Sequence, residues 1–296
     1  MIFKGILTAL ITPLDENDNI DFRTLQPLIE RQIASGINGL VVAGSTGEGS
    51  SLSDEEYYEL IKTAIDCSKG RISIIASTVG VSTVSVCEKV SILSSMDING
   101  LMCTVPHYIR PEQEGLYQHF QAINNASTLP IMIYLHPGRT SCDMSDNTII
   151  RLSALDKIVA LKDCSNDIEK PLRLLPQVSS TFVFLTGDDN RFLAYSAHGG
   201  VGCVSVIANI FPKLCKKIES AWSSGNFDKA RELQQNLMPF MSALFSESNP
   251  IGIKYAAHEL KLCSDKIRLP LTKAREDTRR KINDLMTEIV GLEKDV

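Results

Sequence analysis

The feature of this sequence that most limits its fold is a rhythm: short, almost unbroken apolar runs return eight times, separated by longer stretches, two of which read clearly as helices. The runs are GILTALITP (5–13), GLVVAGST (39–46), ISIIAST (72–78), GLMCTVP (100–106), PIMIYLHP (130–137), IVALKDCS (158–165), FVFLTGDD (182–189) and GVGCVSV (200–206). A strand that is apolar on both faces belongs to a parallel sheet covered by helices. The intervening TLQPLIERQIASG (24–36) carries apolar residues at i, i+3, i+4 spacing and stops at Gly36. SDEEYYELIKTAIDCSKG (53–70) opens on a serine cap with acidic residues in its first turn and closes on Lys-Gly. Eight such units predict an α/β protein closed into a (β/α)8 barrel, with an open doubly wound sheet as the alternative.

After the eighth run the rhythm stops. From about Pro212 only helical signals follow: KLCKKIESAWSSG, FDKARELQQNLMPFMSALFSE, PIGIKYAAHELKL and a charged helix from about Thr272. The expected organisation is a catalytic barrel over 1–225 and a C-terminal helical region over 226–296. No low-complexity linker separates them, so the second is expected to pack on the first.

Charge and composition remove several function classes. A formal charge of −5 with no basic run gives phosphate backbones nothing to hold, so nucleic-acid binding is not expected. No segment approaches the ~20 apolar residues that span a bilayer. The apolar run after Lys4 is broken by Thr8, Thr12 and Pro13 and reads as a first strand rather than a signal peptide. Eight cysteines are scattered without a CxxC pair, several of them inside strand runs, which predicts reduced buried thiols and a cytoplasmic protein.

Barrel enzymes gather their chemistry at the C-terminal ends of the strands. There this chain offers Ser45, Thr46 and Glu48 after the second run and His107 and Tyr108 after the fourth. Tyr134, His136 and Arg139 follow around the fifth, Lys162 in the sixth, and Gly187, Asp188 and Asp189 after the seventh. Lys162 is the pivot, because a lysine at the end of an apolar strand is desolvated. Desolvation favours the neutral amine, and a neutral amine attacks a carbonyl to form a Schiff base. The bland reading is a lysine that snorkels to solvent or pairs with Asp163. Tyr134 on the neighbouring strand would supply a proton shuttle, with Ser45 or Thr46 as relay. Arg139 suits a substrate carboxylate. The GSTGEGSSL turn lacks both GxxxxGK[ST] and GxGxxG, so it gives nucleotide binding little support. The five histidines form neither HxH nor HExxH. GDD could hold a cation or cap a helix, and no catalytic metal is expected.

GSTGE (44–48), HYIRPEQEGLYQHF (107–120), YLHPGRT (134–140), ALKDCS (160–165), GDD (187–189) and NPIGIKYA (249–256) together resemble the dihydrodipicolinate synthase family, in register over nearly the entire chain. The chain is similar, more distantly, to N-acetylneuraminate lyase and other pyruvate-dependent aldolases. The resemblance implies that Lys162 forms an imine with pyruvate and that Tyr134, Ser45 and a Tyr108 lent by a neighbouring subunit make the proton relay. It implies that Thr46 holds the pyruvate carboxylate, that Arg139 receives the carboxylate of L-aspartate 4-semialdehyde, and that Gly187 and Val204 contribute backbone groups. The implied reaction condenses those two substrates on the way to diaminopimelate and lysine. It needs no dissociable cofactor, and the implied assembly is a homotetramer built as a dimer of dimers. The arginine of YLHPGRT together with GDD looks like the synthase rather than its lyase relatives. A lyase for another keto acid and a non-catalytic barrel that binds a small acid are the competing readings. Serine stands at 45 where the family usually has threonine, and histidine at 107 where it has tyrosine. Asp54, Val81 and Ser85 replace the histidine, asparagine and glutamate that resemble a lysine pocket elsewhere in the family, so feedback inhibition by lysine is expected to be weak or absent.

Overall fold

The computed structural model describes residues 2–294. Eight parallel strands follow one another in sequence order and close into a barrel. In chain order the elements begin β1 (Gly5–Ala9), α1 (Phe22–Ala34), β2 (Gly39–Val42), α2 (Asp54–Ser68), β3 (Ser73–Thr78), α3 (Thr83–Leu93) and β4 (Gly100–Thr104). They continue α4 (Gln113–Ala126), β5 (Ile131–Leu135), α5 (Pro137–Thr140), α6 (Asp146–Ser153), β6 (Ile158–Asp163), α7 (Lys170–Leu174), β7 (Val183–Thr186), α8 (Phe192–Ala197) and β8 (Gly202–Ser205). Four further helices end the chain: α9 (Pro212–Ser223), α10 (Phe227–Leu244), α11 (Ile251–Glu259) and α12 (Glu276–Lys294). No helix among the described residues is long and apolar enough to cross a membrane.

The chain divides into two compact units, Met1–Gly5 with Ser73–Val204 and Ile6–Ile72 with Ser205–Val296. In the first, β3 to β8 form a ladder in which Thr104, Tyr134, Lys162 and Leu185 sit side by side. Leu101, Cys103, Ile133, Leu161 and Phe184 are fully buried in it. Both strand faces are apolar, which is why these segments read as continuous runs rather than alternating ones.

In the second unit, β1 pairs with β2. Helix α2 starts where Ser53 and Glu56 cap each other reciprocally, Glu56 N donating to Ser53 Oγ at 3.2 Å and Ser53 N to Glu56 Oε2 at 2.9 Å. Helix α1 begins two residues before the periodicity predicts, because the Asp21 carboxylate accepts from the Arg23 and Thr24 amides. Helix α10 buries Leu233, Leu237, Phe240 and Leu244. The Glu293 carboxylate of α12 caps α9 by accepting from the Lys213 and Leu214 amides at 3.1 and 2.9 Å.

The strands are shorter than the apolar runs at their C-terminal ends. Ala43 already has φ 56°, so the chain leaves the sheet there. Likewise β6 stops at Asp163 and β7 at Thr186. The overrun residues are the loops that carry the polar groups.

Candidate active site

Lys162 sits one residue from the end of β6 and is only 6% exposed. Its register partner on β5 is Tyr134, so both side chains leave the sheet on one face. The ammonium nitrogen lies 3.9 Å from the centre of the Tyr134 ring, well within cation–π range. Among the described residues no carboxylate forms an ion pair with it. Burial therefore lowers the Lys162 pKa below the ordinary 10.5, with nearby Arg139 adding to the effect, while Cys164, Cys203 and Asp188 oppose it. Space for the side chain comes from Gly187: a Cβ there would lie 2.3 Å from Cys164 Sγ and 2.6 Å from Lys162 Cε. Glycine is required at 187 by close approach. The Cys164 thiol is pushed up to about 12 by burial, so it stays protonated beside the amine.

Asp163 does not pair with Lys162, because adjacent strand residues face opposite sides. Its carboxylate instead meets Lys170 Nζ at 3.4 Å and accepts from the Tyr195 hydroxyl at 3.2 Å and the Ser165 amide at 2.9 Å. Lys170 also donates to Ser165 Oγ at 2.6 Å. This buried network fixes the end of β6 from behind, and Asp163 beside Tyr195 adds to the burial that holds the phenol well above its usual range.

Around β5, His136 is half-buried and its ring meets Tyr134 edge-on at 6.0 Å. Burial, Arg139 and Lys162 together lower its pKa to about 4, so the imidazole is neutral. Arg139 lies in α5, a single turn opened by Pro137, and is exposed. In GDD, Asp188 pairs with Arg191 at 3.4 Å rather than capping a helix with its side chain. Among the described residues no group of three histidine, cysteine or carboxylate side chains gathers as a metal site would. Val204 is buried in β8.

Tyr108 is 87% exposed and sits at φ 71°. A bulky residue in the left-handed region is strained, and its amide is held by the Thr140 carbonyl at 3.3 Å.

The β2 loop has its own scaffold. Its tight fold needs Gly49, where a Cβ would lie 1.8 Å from the Ala43 carbonyl oxygen. Ser45 is half-buried and Thr46 buried. Thr46 Oγ1 accepts from Asn249 Nδ2 at 2.9 Å, and Glu48 Oε1 meets Lys254 Nζ at 2.5 Å. Glu48 Oε2 accepts from the Arg268 amide at 2.9 Å. Asn249, Lys254, Lys170 and Tyr195 carry no periodic or spacing signal that would mark these roles. Only the resemblance carried by NPIGIKYA marks the first two.

Fold and site together describe a (β/α)8 barrel with a desolvated amine near the end of its sixth strand, over a phenol on the fifth. The sequence model of the "Dihydrodipicolinate synthetase family" matches residues 2–289. The chain is 45% identical over 288 residues to the 4-hydroxy-tetrahydrodipicolinate synthase of Rickettsia bellii (strain RML369-C), covering 97% of this chain and 98% of that one. It superposes on dihydrodipicolinate synthase from Aquifex aeolicus with TM-score 0.94 at 33% identity, over 97% of this chain and 98% of that one. A structure described as the first monomeric dihydrodipicolinate synthase variant matches with TM-score 0.94 at 32% identity, over 97% of each chain. The chain belongs to the dihydrodipicolinate synthetase family, and as a member it is an enzyme of the lyase class.

Proposed function

We propose that Lys162 is the Schiff-base nucleophile of a 4-hydroxy-tetrahydrodipicolinate synthase that condenses pyruvate with L-aspartate 4-semialdehyde. Family membership supports the activity. The observation that carries the residue is the buried amine of Lys162 over Tyr134, with no carboxylate partner among the described residues.

The neutral amine adds to the pyruvate ketone, and loss of water gives the imine. A proton leaves the methyl carbon, the imine nitrogen takes up the electron pair, and the resulting enamine carbon bonds to the aldehyde carbon of the second substrate. The aldehyde oxygen takes a proton, and the amino group of that substrate then displaces Lys162 as the ring closes. Tyr134 and Ser45 carry these protons, with Tyr108 supplied by a neighbouring copy. Thr46 holds the pyruvate carboxylate, Arg139 that of the semialdehyde, and Gly187 and Val204 line the site with backbone groups. The exposure and left-handed strain of Tyr108 support its being offered to another subunit. On that reading the assembly is a dimer of dimers. Residues 1–225 serve as the catalytic barrel and 226–296 as its helical region. Free thiols throughout agree with a cytoplasmic setting.

The test is a direct assay of the purified chain with pyruvate and L-aspartate 4-semialdehyde, beside one with N-acetylneuraminate. Condensation in the first without pyruvate release in the second is the expected result. Pyruvate release from N-acetylneuraminate alone would move the chain to the lyase relatives.

A further inference from the structure

The segment that enters α11 reaches back to the β2 loop at two points. Asn249 Nδ2 donates to Thr46 Oγ1 at 2.9 Å, and Lys254 Nζ meets Glu48 Oε1 at 2.5 Å, while the Arg268 amide takes the other Glu48 oxygen at 2.9 Å. Glu48 is 5% and Lys254 1% exposed, and Glu48 is held at φ 54°. The loop conformation at 44–49 is therefore set from outside the loop.

The consequence for Thr46 is a matter of hydrogen-bond counting. A threonine hydroxyl has one proton and two lone pairs. Thr46 is 4% exposed, so its hydroxyl cannot rely on bulk water. The Asn249 amide occupies one lone pair, and among the described residues the hydroxyl donates to nothing. A buried donor demands an acceptor. Because an amide N–H points at the oxygen from Asn249, the Thr46 proton is turned away from that side.

We propose that Asn249 is a positioning residue for keto-acid recognition: it fixes the direction of the Thr46 hydroxyl so that its proton is presented to the substrate carboxylate. This rests on the reading of Thr46 as the group that holds the pyruvate carboxylate. On this reading Asn249 acts through Thr46. An acceptor in its place would invert the arrangement, since Thr46 would then donate to residue 249 and offer a lone pair to an anion.

The test compares wild type, Asn249→Asp, Asn249→Ala, Thr46→Val and Thr46→Val/Asn249→Asp by two readouts. One is steady-state KM for each substrate. The other is the pyruvate concentration that half-saturates borohydride trapping on Lys162. Asn249→Asp is isosteric with the native side chain, and Asn249→Ala keeps the test open should the new charge unfold the loop. The expected result is a rise of about tenfold or more in pyruvate KM and in the trapping midpoint for Asn249→Asp, and a smaller rise for Asn249→Ala. The KM for the semialdehyde should stay within about twofold, and Asn249→Asp should add nothing in the Thr46→Val background. Trapping of wild type with unchanged pyruvate midpoints in both Asn249 variants would overturn the role of Asn249 and leave the imine reading standing. Equal rises in the KM of both substrates would reduce Asn249 to loop support and overturn the proposal. Failure of wild type to be trapped would overturn the imine reading, and this inference with it.

Discussion

Two buried lysines on this chain have opposite surroundings. Lys254 is 1% exposed and its ammonium meets the Glu48 carboxylate at 2.5 Å. Lys162 is 6% exposed and has an aromatic face at 3.9 Å in place of a carboxylate. A buried ammonium with a close, hydrogen-bonded counter-charge is a structural tie, and removing its partner strands a charge. A buried ammonium over a ring is desolvated without full repayment, so the neutral amine gains. Burial alone does not make a lysine reactive; the missing carboxylate does.

The widest separation should come from removing each lysine in turn. Lys162→Met is expected to abolish imine formation and lower kcat/KM by at least about a thousandfold. Lys254→Met should leave an uncompensated Glu48 and cost about 3–5 kcal/mol in denaturant unfolding. Lys254→Met/Glu48→Leu should recover much of that loss. A Lys254 variant as stable as wild type would break the comparison.

A smaller effect sharpens the Lys162 side. Gly187→Ala places a methyl 2.6 Å from Lys162 Cε, so the amine must move. Expected is a drop of about ten- to a hundredfold in kcat with the fold retained by circular dichroism.

Smaller again is the effect of Lys162 on stability, and its sign opposes that of Lys254. Because the folded pKa of Lys162 lies below 10.5, the unfolded chain binds more protons between that lowered value and 10.5. Stability therefore rises with pH through this window, and at neutral pH the buried lysine is a net cost. Lys162→Met should unfold at a higher temperature than wild type at pH 7, with the advantage gone above pH 10.5. A lower melting temperature at pH 7 would contradict the desolvation account.

The smallest effect concerns regulation. Asp54 and Ser85 lie in the first turns of α2 and α3, with Val81 just before α3. On the resemblance these positions would carry a histidine, an asparagine and a glutamate; Asp54 brings no imidazole, Val81 no amide and Ser85 no carboxylate, so added lysine is expected to leave activity nearly unchanged. Half-maximal inhibition at sub-millimolar lysine would contradict this.

How much of this could be read beforehand follows from the range of the forces involved. The eight strands showed in the sequence because a two-sided apolar strand needs only local composition, and α2 showed because its caps are three residues apart. Lys162 and Tyr134 were legible because each interrupts an apolar run near its end. The apolar runs overshoot the strands at their C-terminal ends: Ala43 is apolar yet lies at φ 56°, and hydrophobicity says nothing of φ. Gly187 is legible as a residue at the end of the seventh run, but its close approach to Lys162 depends on two strands meeting. Asn249 and Lys254 bond groups 203 and 206 residues away, and no periodicity encodes such a pairing.

The most direct test of the central contrast is peptide mapping after borohydride reduction with pyruvate. A reduced pyruvate adduct on Lys162 and an unmodified Lys254 in the same digest are expected. An unmodified Lys162, or equal labelling of the two lysines, would contradict that contrast.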